Sequence, residues 1–370
     1  RNINLKRTSD SDNSFLKIIK MIVSFVKRIA LSVLLYCVGM IYGCMVLCRL
    51  LWIIIREGTH ILKNTPVEQA PVCLQDKSLG VHNYVTTKSK VRFHYVANGE
   101  VGKPLMLLLH GFPEFWYSWR FQLKAFCKDH RVIAVDLRGY GWSDKPAKTS
   151  LYKISCLAQD TKEIVEALGY TSCILVGHDW GGLISWSVAH RFPEIVDKLV
   201  ILNCPHPKIF MDFILFSWKQ FLMSWFIFLY QLPYLPELFI SLKNFRIIKA
   251  VFRGNYAGVR NKANMSDMDL EAFKFAISQP GALTSALNYY RNVVTLYLED
   301  DWLKDGLARV TSPTLIIWGD QDYFLNKKSL DFVPNFVENS TIRFVGGASH
   351  WVQQDEPQIV NDFIQEFVQE

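Results

Sequence analysis

The sequence lacks the patterns that mark disulfide-rich and zinc-binding proteins. Its eight cysteines contain no Cys-x-x-Cys pair and no metal-ligand spacing, and Cys37, Cys44 and Cys48 lie within an apolar stretch. We therefore predict neither a disulfide framework nor a metal site. The chain also shows no internal repeat and no low-complexity segment.

Long runs of one charge are absent from most of the chain. The net charge is +7, and much of it comes from residues before position 29, namely Arg1, Lys6, Arg7, Lys17, Lys20, Lys27 and Arg28. Beyond them basic and acidic residues interleave. The basic N-terminal cluster therefore indicates a membrane-flanking segment and not a nucleic-acid-binding surface. Half of the 370 residues are hydrophobic, enough for one large core.

Residues 29–48 contain no charged residue at all. They read IALSVLLYCVGMIYGCMVLC, and a second apolar run follows Arg49 and continues to Arg56. A helix needs about 20 apolar residues to span a bilayer. We predict a transmembrane anchor at residues 29–56, preceded by a basic tail at residues 1–28. A buried core helix would be shorter, and a cleaved signal peptide would need a shorter apolar run and a small-residue cleavage site.

Charge also predicts the orientation of this anchor. Basic residues are more numerous before the span than just after it, where Arg49, Arg56 and Lys63 lie. The positive-inside rule then places the N-terminus in the cytosol and the rest of the chain across the membrane, as in a single-pass type II protein of the endoplasmic reticulum. A translation start at Met21 would leave few basic residues ahead of the span and would weaken this prediction.

Alternating strands and helices follow a predicted linker at residues 57–85. Short apolar runs, most of them ending in glycine or a turn signal, are typical of buried parallel strands. They occupy residues 91–99, 104–111, 131–139, 172–177, 198–204, 313–322 and 340–347. Helical spacing occurs at residues 156–169, 183–192 and 356–370. The pattern predicts an α/β fold with a doubly wound, mostly parallel sheet.

The alternation stops in one internal region. Residues 206–301 crowd aromatic and aliphatic residues without strand-length punctuation, which favours an inserted helical cap. The core would then consist of residues 86–205 and 302–370. A second membrane-embedded segment is the alternative, although Lys219, Pro233 and Pro236 interrupt the apolar run.

One turn between a strand and a helix indicates the chemistry. Strand 172–177 leads into the sequence Gly177-His178-Asp179-Trp180-Gly181, and a helix follows. In α/β-hydrolases a G-x-S-x-G turn holds the nucleophile in this context, and here Asp179 occupies the serine position. We predict that Asp179 is the nucleophile. The alternative is that its carboxylate only caps the helix, because Asp is a good N-cap residue.

An aspartate nucleophile restricts the reaction. A carboxylate that attacks an sp³ carbon forms an alkyl ester whose carbonyl water can attack afterwards, whereas a serine would form an inert ether. The carboxylate is already ionised at neutral pH, so its attack needs no base. A base is needed only for hydrolysis of the ester, and no metal or organic cofactor is expected.

The base is predicted near the C-terminus, because the chain order in this fold is nucleophile, acid, histidine. His350 follows a strand and a glycine pair, and Asp322 follows the preceding strand. We predict that His350 is the general base and that Asp322 orients it, with Asp320 as the alternative acid. Three other histidines are expected to be structural, His110, His178 and His206.

The oxyanion hole is predicted from the same fold pattern. One main-chain N–H comes from the loop after the third strand, where His-Gly-Phe-Pro stands at 110–113, and the other from the residue after the nucleophile. We assign these donors to Phe112 and Trp180. Each would stabilise the tetrahedral oxyanion of ester hydrolysis by a contribution on the order of a few kcal/mol.

Several motifs together resemble those of epoxide hydrolases. They are HGFPEFWYSWR (110–120), DLRGYGWSD (136–144), GHDWGG (177–182), NYYRN (288–292), WGDQD (318–322) and SHWVQQDEP (349–357). The resemblance covers residues 76–370 and is greatest to the membrane-anchored type, because no phosphatase-like domain precedes the fold. It implies a small-molecule epoxide substrate and two cap tyrosines that donate hydrogen bonds to the epoxide oxygen. Tyr290 matches one of them, and Tyr230 or, alternatively, Tyr234 the other.

Two other functions share parts of this pattern. A haloalkane dehalogenase uses the same aspartate but needs an Asn or a second Trp to bind halide, and Phe112 stands where such families often place Asn. A non-catalytic binding protein of this fold usually lacks one member of the catalytic set. The complete set and the apolar cap favour an enzyme that opens lipid-like epoxides to vicinal diols.

Overall fold

A mixed eight-stranded sheet forms the centre of the computed structural model, which describes residues 5–65, 69–293 and 309–370. Its strands are β1 (Val81–Thr86), β2 (Arg92–Asn98), β3 (Leu105–Leu109), β4 (Arg131–Val135), β5 (Cys173–His178), β6 (Val196–Leu202), β7 (Thr314–Gly319) and β8 (Ser340–Val345). The spatial order is β1-β2-β4-β3-β5-β6-β7-β8. Strand β2 pairs antiparallel with β1 and β4, and the other pairs are parallel. This confirms the predicted fold class.

The central strands are apolar because helices cover both faces of the sheet. Every residue of β3, β5 and β7 is buried, as expected where neither face contacts water. The covering helices are α2 (Arg120–Phe126), α3 (Ile154–Ala167), α4 (Trp180–Arg191), α12 (Val352–Asp355) and α13 (Pro357–Gln369). Since the parallel strands share one direction, the loops after their carboxyl ends meet at one edge of the sheet, where ligands bind in open α/β folds.

Seven short helices follow β6 within the described residues up to position 293. They are α5 (Pro207–Phe216), α6 (Trp218–Met223), α7 (Trp225–Leu229), α8 (Leu235–Phe245), α9 (Ile247–Arg253), α10 (Asp267–Ser278) and α11 (Ala282–Arg291). The longest has 12 residues and is too short to span a bilayer. Residues 294–308, with the predicted end of the cap and the predicted return to the core at 302, lie outside the described residues.

The linker predicted for residues 57–85 is wrong at its C-terminal end. Strand β1 begins at Val81 and pairs with β2, so the sheet starts earlier than the predicted core boundary at residue 86. Short 3-10 helices at Val72–Gln75 and Lys77–Leu79 precede it and bury Leu74 and Leu79. The strand was missed because β1 lies at an edge and is mostly exposed, so its sequence has no apolar run.

One long helix precedes the sheet. Helix α1 (Leu5–Glu57) includes the predicted anchor and continues back through most of the predicted basic tail. Among the described residues, only the segment Ile29–Glu57 of this helix is long and apolar enough to cross a membrane. Only 22% of its most apolar window is buried, so it is not an ordinary core helix.

Candidate active site

The turn between β5 and α4 holds Asp179 in a strained backbone conformation. Its φ is 51° and its ψ is −118°, a region that costs a residue with a side chain about 1–3 kcal/mol. Asp179 precedes α4 but makes no side-chain hydrogen bond that caps the helix. The carboxylate is therefore not used as a helix cap.

Two close contacts hold this turn against β3, and both require glycine. A Cβ at Gly181 would lie 2.0 Å from the carbonyl oxygen of Leu109, and a Cβ at Gly111 would lie 2.4 Å from the Asp179 side chain. Any larger residue would push the turn away from the strand. The loop after β3 therefore lies directly over the carboxylate.

The main chain of that loop donates a hydrogen bond to the carboxylate. The Phe112 N–H lies 2.8 Å from Asp179 Oδ1. Trp180 is the first residue of α4, so its N–H has no acceptor within the helix. The structure thus brings the Phe112 N–H to the Asp179 carboxylate and leaves the Trp180 N–H without an acceptor inside α4.

The loops after β7 and β8 bring Asp322 and His350 to the same edge of the sheet. His350 Nδ1 lies 2.7 Å from Asp322 Oδ2, and His350 Nε2 lies 3.6 Å from Asp179 Oδ2. The alternative acid, Asp320, instead accepts a hydrogen bond from the Gly347 N–H at 2.8 Å. Of the two candidate acids, the structure therefore joins Asp322 to the imidazole.

Asp322 is itself held by several donors. Its Oδ1 accepts from the N–H groups of Phe324 at 2.7 Å and Leu325 at 3.0 Å. Its Oδ2 also accepts from Asn203 Nδ2 at 2.7 Å, and Asn203 Oδ1 accepts from the Gly319 N–H at 2.9 Å. The sequence analysis missed Asn203, whose only signal is its position directly after a buried strand. These bonds fix the orientation of the carboxylate.

Charge at the site favours a protonated imidazole in the free enzyme. Burial alone would lower the pKa of His350, but the negative charge of Asp322 and the hydrogen bonds to Asp179 and Asp322 raise it to about 10. His350 is therefore an imidazolium between two carboxylates at neutral pH. Loss of the charge on Asp179 would lower this pKa again.

We expect this shift to appear in the pH dependence of stability. The pKa of His350 rises on folding from 6.5 to about 10, so its contribution to the free energy of unfolding is complete below pH 6.5 and is lost as the pH rises towards 10. Thermal unfolding of the detergent-solubilised protein should show a difference in Tm between the native chain and His350→Gln that shrinks over this interval. A difference that is constant with pH would contradict the charged state of His350.

A buried network behind the site connects three loops. Glu114 Oε2 lies 2.6 Å from His178 Nδ1 and accepts from the Gly111 N–H at 2.9 Å. His178 Nε2 lies 2.9 Å from the carbonyl oxygen of His350. Burial would raise the pKa of Glu114, but the charge and hydrogen bond of His178 lower it to about 2. The network ties the loop after β3 to the Asp179 turn and to the His350 loop, and sequence reasoning did not find Glu114.

The other two histidines with a predicted structural role lie in hydrogen-bonded positions. His110 Nδ1 contacts the carbonyl oxygen of Gly111 at 2.8 Å, and its Nε2 accepts from the Leu137 N–H at 3.1 Å. His206 Nε2 lies 3.0 Å from His190 Nε2. Neither His110 nor His206 lines the cavity at the site.

Two cap tyrosines line the same cavity as Asp179. Tyr290 on α11 and Tyr230 at the end of α7 have ring centroids 5.0 Å apart, and both rings contact Phe112, at 5.3 and 5.8 Å. Burial raises the pKa of both phenols, so each stays protonated at neutral pH. Tyr234, directly before α8, has a φ of 61° and is 84% exposed. The structure therefore brings Tyr230 and not Tyr234 to the site.

These residues line one cavity between the cap and the sheet. Its volume is about 120 Å³, and its ionisable side chains include Asp179, His350, Tyr230 and Tyr290. Most of the remaining wall is aliphatic or aromatic, and no lysine or arginine lines it within the described part of the chain. Residues 5–65, 69–293 and 309–370 contain no group of three or more His, Cys, Asp or Glu side chains that could hold a metal ion.

Known proteins share this fold and most of this length. The alpha/beta hydrolase fold family matches residues 104–357. Human epoxide hydrolase 4 is 44% identical over 91% of this chain and 92% of its own length, and epoxide hydrolase 3 of Xenopus tropicalis is 42% identical over 82% of both chains. A crystal structure of Bacillus megaterium epoxide hydrolase with an inhibitor superposes with a TM-score of 0.70 at 32% identity, covering 78% of this chain and 100% of that one.

The family match covers the nucleophile turn, both acidic candidates and His350, and the similarity to human epoxide hydrolase 4 extends over nearly the whole chain. The solved structures that are similar to this chain include epoxide hydrolases from Bacillus megaterium, a Streptomyces and Vigna radiata. This chain therefore belongs to the epoxide hydrolases of the alpha/beta hydrolase fold.

Proposed function

We propose that the enzyme opens lipid-like epoxides to vicinal diols through an alkyl ester on Asp179. The observation that carries the proposal is that one cavity holds a carboxylate on one side and two phenols, Tyr230 and Tyr290, on the other. An epoxide between them would meet a nucleophile at carbon and hydrogen-bond donors at oxygen. The two phenols are protonated at neutral pH, as ring opening requires.

The first step forms the ester. An oxygen of Asp179 attacks an epoxide carbon, and the bond between that carbon and the epoxide oxygen breaks. The oxygen receives a proton from Tyr290, while Tyr230 donates a hydrogen bond to it. Donation is needed because a free alkoxide is a poor leaving group. The product is a hydroxyalkyl ester of Asp179, and the reaction leaves a phenolate on Tyr290.

The second step hydrolyses the ester. Esterification removes the negative charge of Asp179, so the pKa of His350 falls and its proton can return to the phenolate. Neutral His350 then takes a proton from water, and the hydroxide attacks the ester carbonyl. The N–H groups of Phe112 and Trp180 stabilise the oxyanion. The diol leaves with the proton from His350, and the new carboxylic acid returns its own proton to the imidazole.

The cavity wall supports an apolar substrate. Phe226, Trp225 and Ile247 belong to this wall, which offers no cationic side chain among the described residues to bind a charged head group. Burial of apolar substrate surface contributes roughly 25 cal/mol per Å². Lipid epoxides whose polar end stays outside the cavity fit this lining best.

The role of the tyrosines can be tested against a neighbouring tyrosine. Tyr290→Phe and Tyr230→Phe should each slow ester formation by about 10²-fold, since a positioned proton donor contributes at least this much. The double variant should be slower still. Ester hydrolysis should change less, because the tyrosines contribute to it only by accepting the proton of His350. Single-turnover measurements with an epoxy fatty acid ester separate the two steps.

Tyr234→Phe is the matched control, because Tyr234 lies on the same cap segment but outside the cavity. It should react at the rate of the native enzyme. Equal rates for all three single variants would contradict the assignment of the donors.

Haloalkanes provide the test of the competing reaction. Trp180 and Trp225 both line the cavity, and a dehalogenase needs two N–H donors for halide. Phe112 stands where such enzymes often place Asn, and its side chain has no N–H to donate to halide. The phenols of Tyr230 and Tyr290 have no role in halide release. We expect diol from epoxides and no halide from a matched panel of chloro- and bromoalkanes. Halide release at a comparable kcat/KM would favour the dehalogenase.

We also propose that α1 anchors the enzyme as a single-pass type II protein of the endoplasmic reticulum. The charge difference across residues 29–56 supports this orientation. In sealed microsomes, protease should leave the catalytic domain intact until detergent is added. Digestion of the domain without detergent would reverse the orientation.

A further inference from the structure

Helix α1 packs against α7 and α8 of the cap through one face. Leu31, Leu35 and Leu50 on this face are buried. Between them, a Cβ at Gly39 would lie 2.5 Å from the carbonyl oxygen of Phe228 on α7. Small residues allow helices to approach this closely inside a membrane. The two helices are therefore in direct backbone contact.

The contact continues one turn further along α1. A Cβ at Gly43 would lie 2.5 Å from Leu232 Cδ1. Between the two glycines, the Tyr42 ring stacks on Phe228 with centroids 6.4 Å apart and contacts Trp225 at 6.1 Å. Glycine and aromatic contacts alternate, so α7 is fitted to this face of α1.

The docked face is as long as the hydrocarbon core of a bilayer is thick. From Leu31 to Leu50 a helix rises about 28 Å, and the hydrocarbon core measures about 30 Å. Beyond it, Glu57 Oε2 pairs with Lys243 Nζ at 2.5 Å, at the end of α8. The apolar part of α1 is packed on the cap over this length, so α1 would not enter a bilayer alone. The adjoining side of the cap must enter the lipid as well.

That side of the cap exposes large apolar side chains. Phe216 is 83% exposed and Trp218 is 73% exposed, and the one charged residue exposed among positions 216–223 is Lys219. We define the cap edge as five exposed residues, Phe216, Trp218, Leu222, Tyr234 and Leu238. Apolar patches of this kind mark interaction surfaces.

The cap edge is continuous with α1. Trp218 stacks on Phe221 at 5.7 Å, Phe221 contacts Phe228 at 4.8 Å, and Phe228 stacks on Tyr42 of α1. This row of rings leads from the exposed edge to the docked helix without a charged group between them. The surface that meets lipid on α1 therefore extends onto the cap.

We propose that the cap edge lies in the same phospholipid bilayer as α1, so that the cap is a membrane-inserted part of the enzyme. This inference rests on the proposed anchoring by α1. It also relates the membrane to the site, because Trp225 contacts Tyr42 on one side and lines the catalytic cavity on the other. One layer of side chains then separates the cavity from the membrane helix.

Photolabelling from the lipid phase tests the proposal on the full chain. The protein is reconstituted in phosphatidylcholine vesicles that contain a phosphatidylcholine with a diazirine in its acyl chain. After irradiation, lipid adducts are mapped to peptides by mass spectrometry. We expect adducts on α1 and on the peptides of the cap edge. Val101, which is 82% exposed in the turn before β3 at the opposite edge of the sheet, is the control and should carry none.

The possible outcomes separate the two proposals. Adducts on α1 without adducts on the cap edge would leave the anchoring intact and overturn the insertion of the cap. An unlabelled α1 would overturn both the anchoring and the inference that rests on it. Labelling of Val101 equal to that of the cap edge would also overturn the inference, because it would show no preference for this surface.

Substitution of the docking glycines gives a second test. Gly39→Leu with Gly43→Leu places side chains where Phe228 and Leu232 now lie, so α1 must separate from the cap. Lipid adducts should persist on α1 and be lost from the cap edge. The control places leucine at Met40 and Met45 on the exposed side of α1 and should retain both sets. Cap-edge adducts that survive the glycine substitutions would contradict docking on α1 as the cause of insertion.

Discussion

Diol formation by the Asp179→Ala variant should fall by on the order of 10⁴-fold or more, because loss of a covalent nucleophile removes the reaction path itself. No other carboxylate in the described chain lines the cavity. The variant should also form no covalent adduct with substrate. Activity is measured as diol produced from an epoxide, and adducts are measured as the intact mass of the protein. We expect the fold to tolerate alanine, because the Asp179 side chain caps no helix and alanine keeps the Cβ that this backbone already accommodates.

Asp320→Ala is the matched control for this prediction. Asp320 follows strand β7, and its carboxylate accepts a hydrogen bond from the Gly347 N–H, whereas the His350 imidazole pairs with Asp322. Its removal should leave the rate of diol formation close to that of the native enzyme. Residual diol formation by Asp179→Ala at the level of Asp320→Ala would exclude Asp179 as the nucleophile.

The His350→Gln variant should consume one equivalent of epoxide and then stop. Ester formation needs only Asp179 and the two tyrosines, whereas ester hydrolysis needs a base within reach of a water near Asp179. His350 Nε2, 3.6 Å from Asp179 Oδ2, is placed for this role. Turnover should fall by about 10³-fold, within the range for loss of a general base. The protein should gain the mass of one substrate molecule.

The site of the adduct provides the control for this variant. Proteolysis should locate the added mass on the peptide that contains Asp179, and the double variant with Asp179→Ala should gain no mass. Asp322→Asn should also accumulate ester, but to a smaller extent. The imidazole of His350 remains, and only the carboxylate that orients it and stabilises its charged form is lost. Full turnover by His350→Gln would contradict the role of His350 as base.

Much of this site could be predicted from sequence because its members follow strands. Asp179, Asp322 and His350 each stand after an apolar run, and parallel strands bring such positions to one edge of the sheet. Chain order then distinguished nucleophile, acid and base. Distances could not be predicted, and the choice between Asp320 and Asp322 required the structure, since either residue follows the same strand.

The supporting residues could not be found in this way. Asn203 and Glu114 act through side chains that reach partners more than a hundred residues away in sequence, on Asp322 and Gln353. No local pattern distinguishes such residues from ordinary loop residues. The two candidate tyrosines show the same limit: Tyr230 directly follows α7 and Tyr234 directly precedes α8, yet Tyr230 lines the cavity and Tyr234 does not.

The packing of α1 against the cap could not be predicted from the sequence either. Its length and lack of charge predicted a membrane helix, but the partner of its Gly39 and Gly43 face lies in the cap, almost two hundred residues later. The aromatic residues that made the helices of the cap hard to predict also form this contact with α1. The cap segment thus serves two surfaces, one facing the catalytic cavity and one facing α1.

Single turnover in ¹⁸O-labelled water tests the ester mechanism most directly. With enzyme in excess over an epoxide, attack by Asp179 gives a diol whose new oxygen comes from the carboxylate, so the first diol should carry no ¹⁸O. The label should appear instead in the carboxylate of Asp179. A first-turnover diol that carries ¹⁸O, with an unlabelled Asp179, would show that water attacks the epoxide directly and would contradict the ester mechanism.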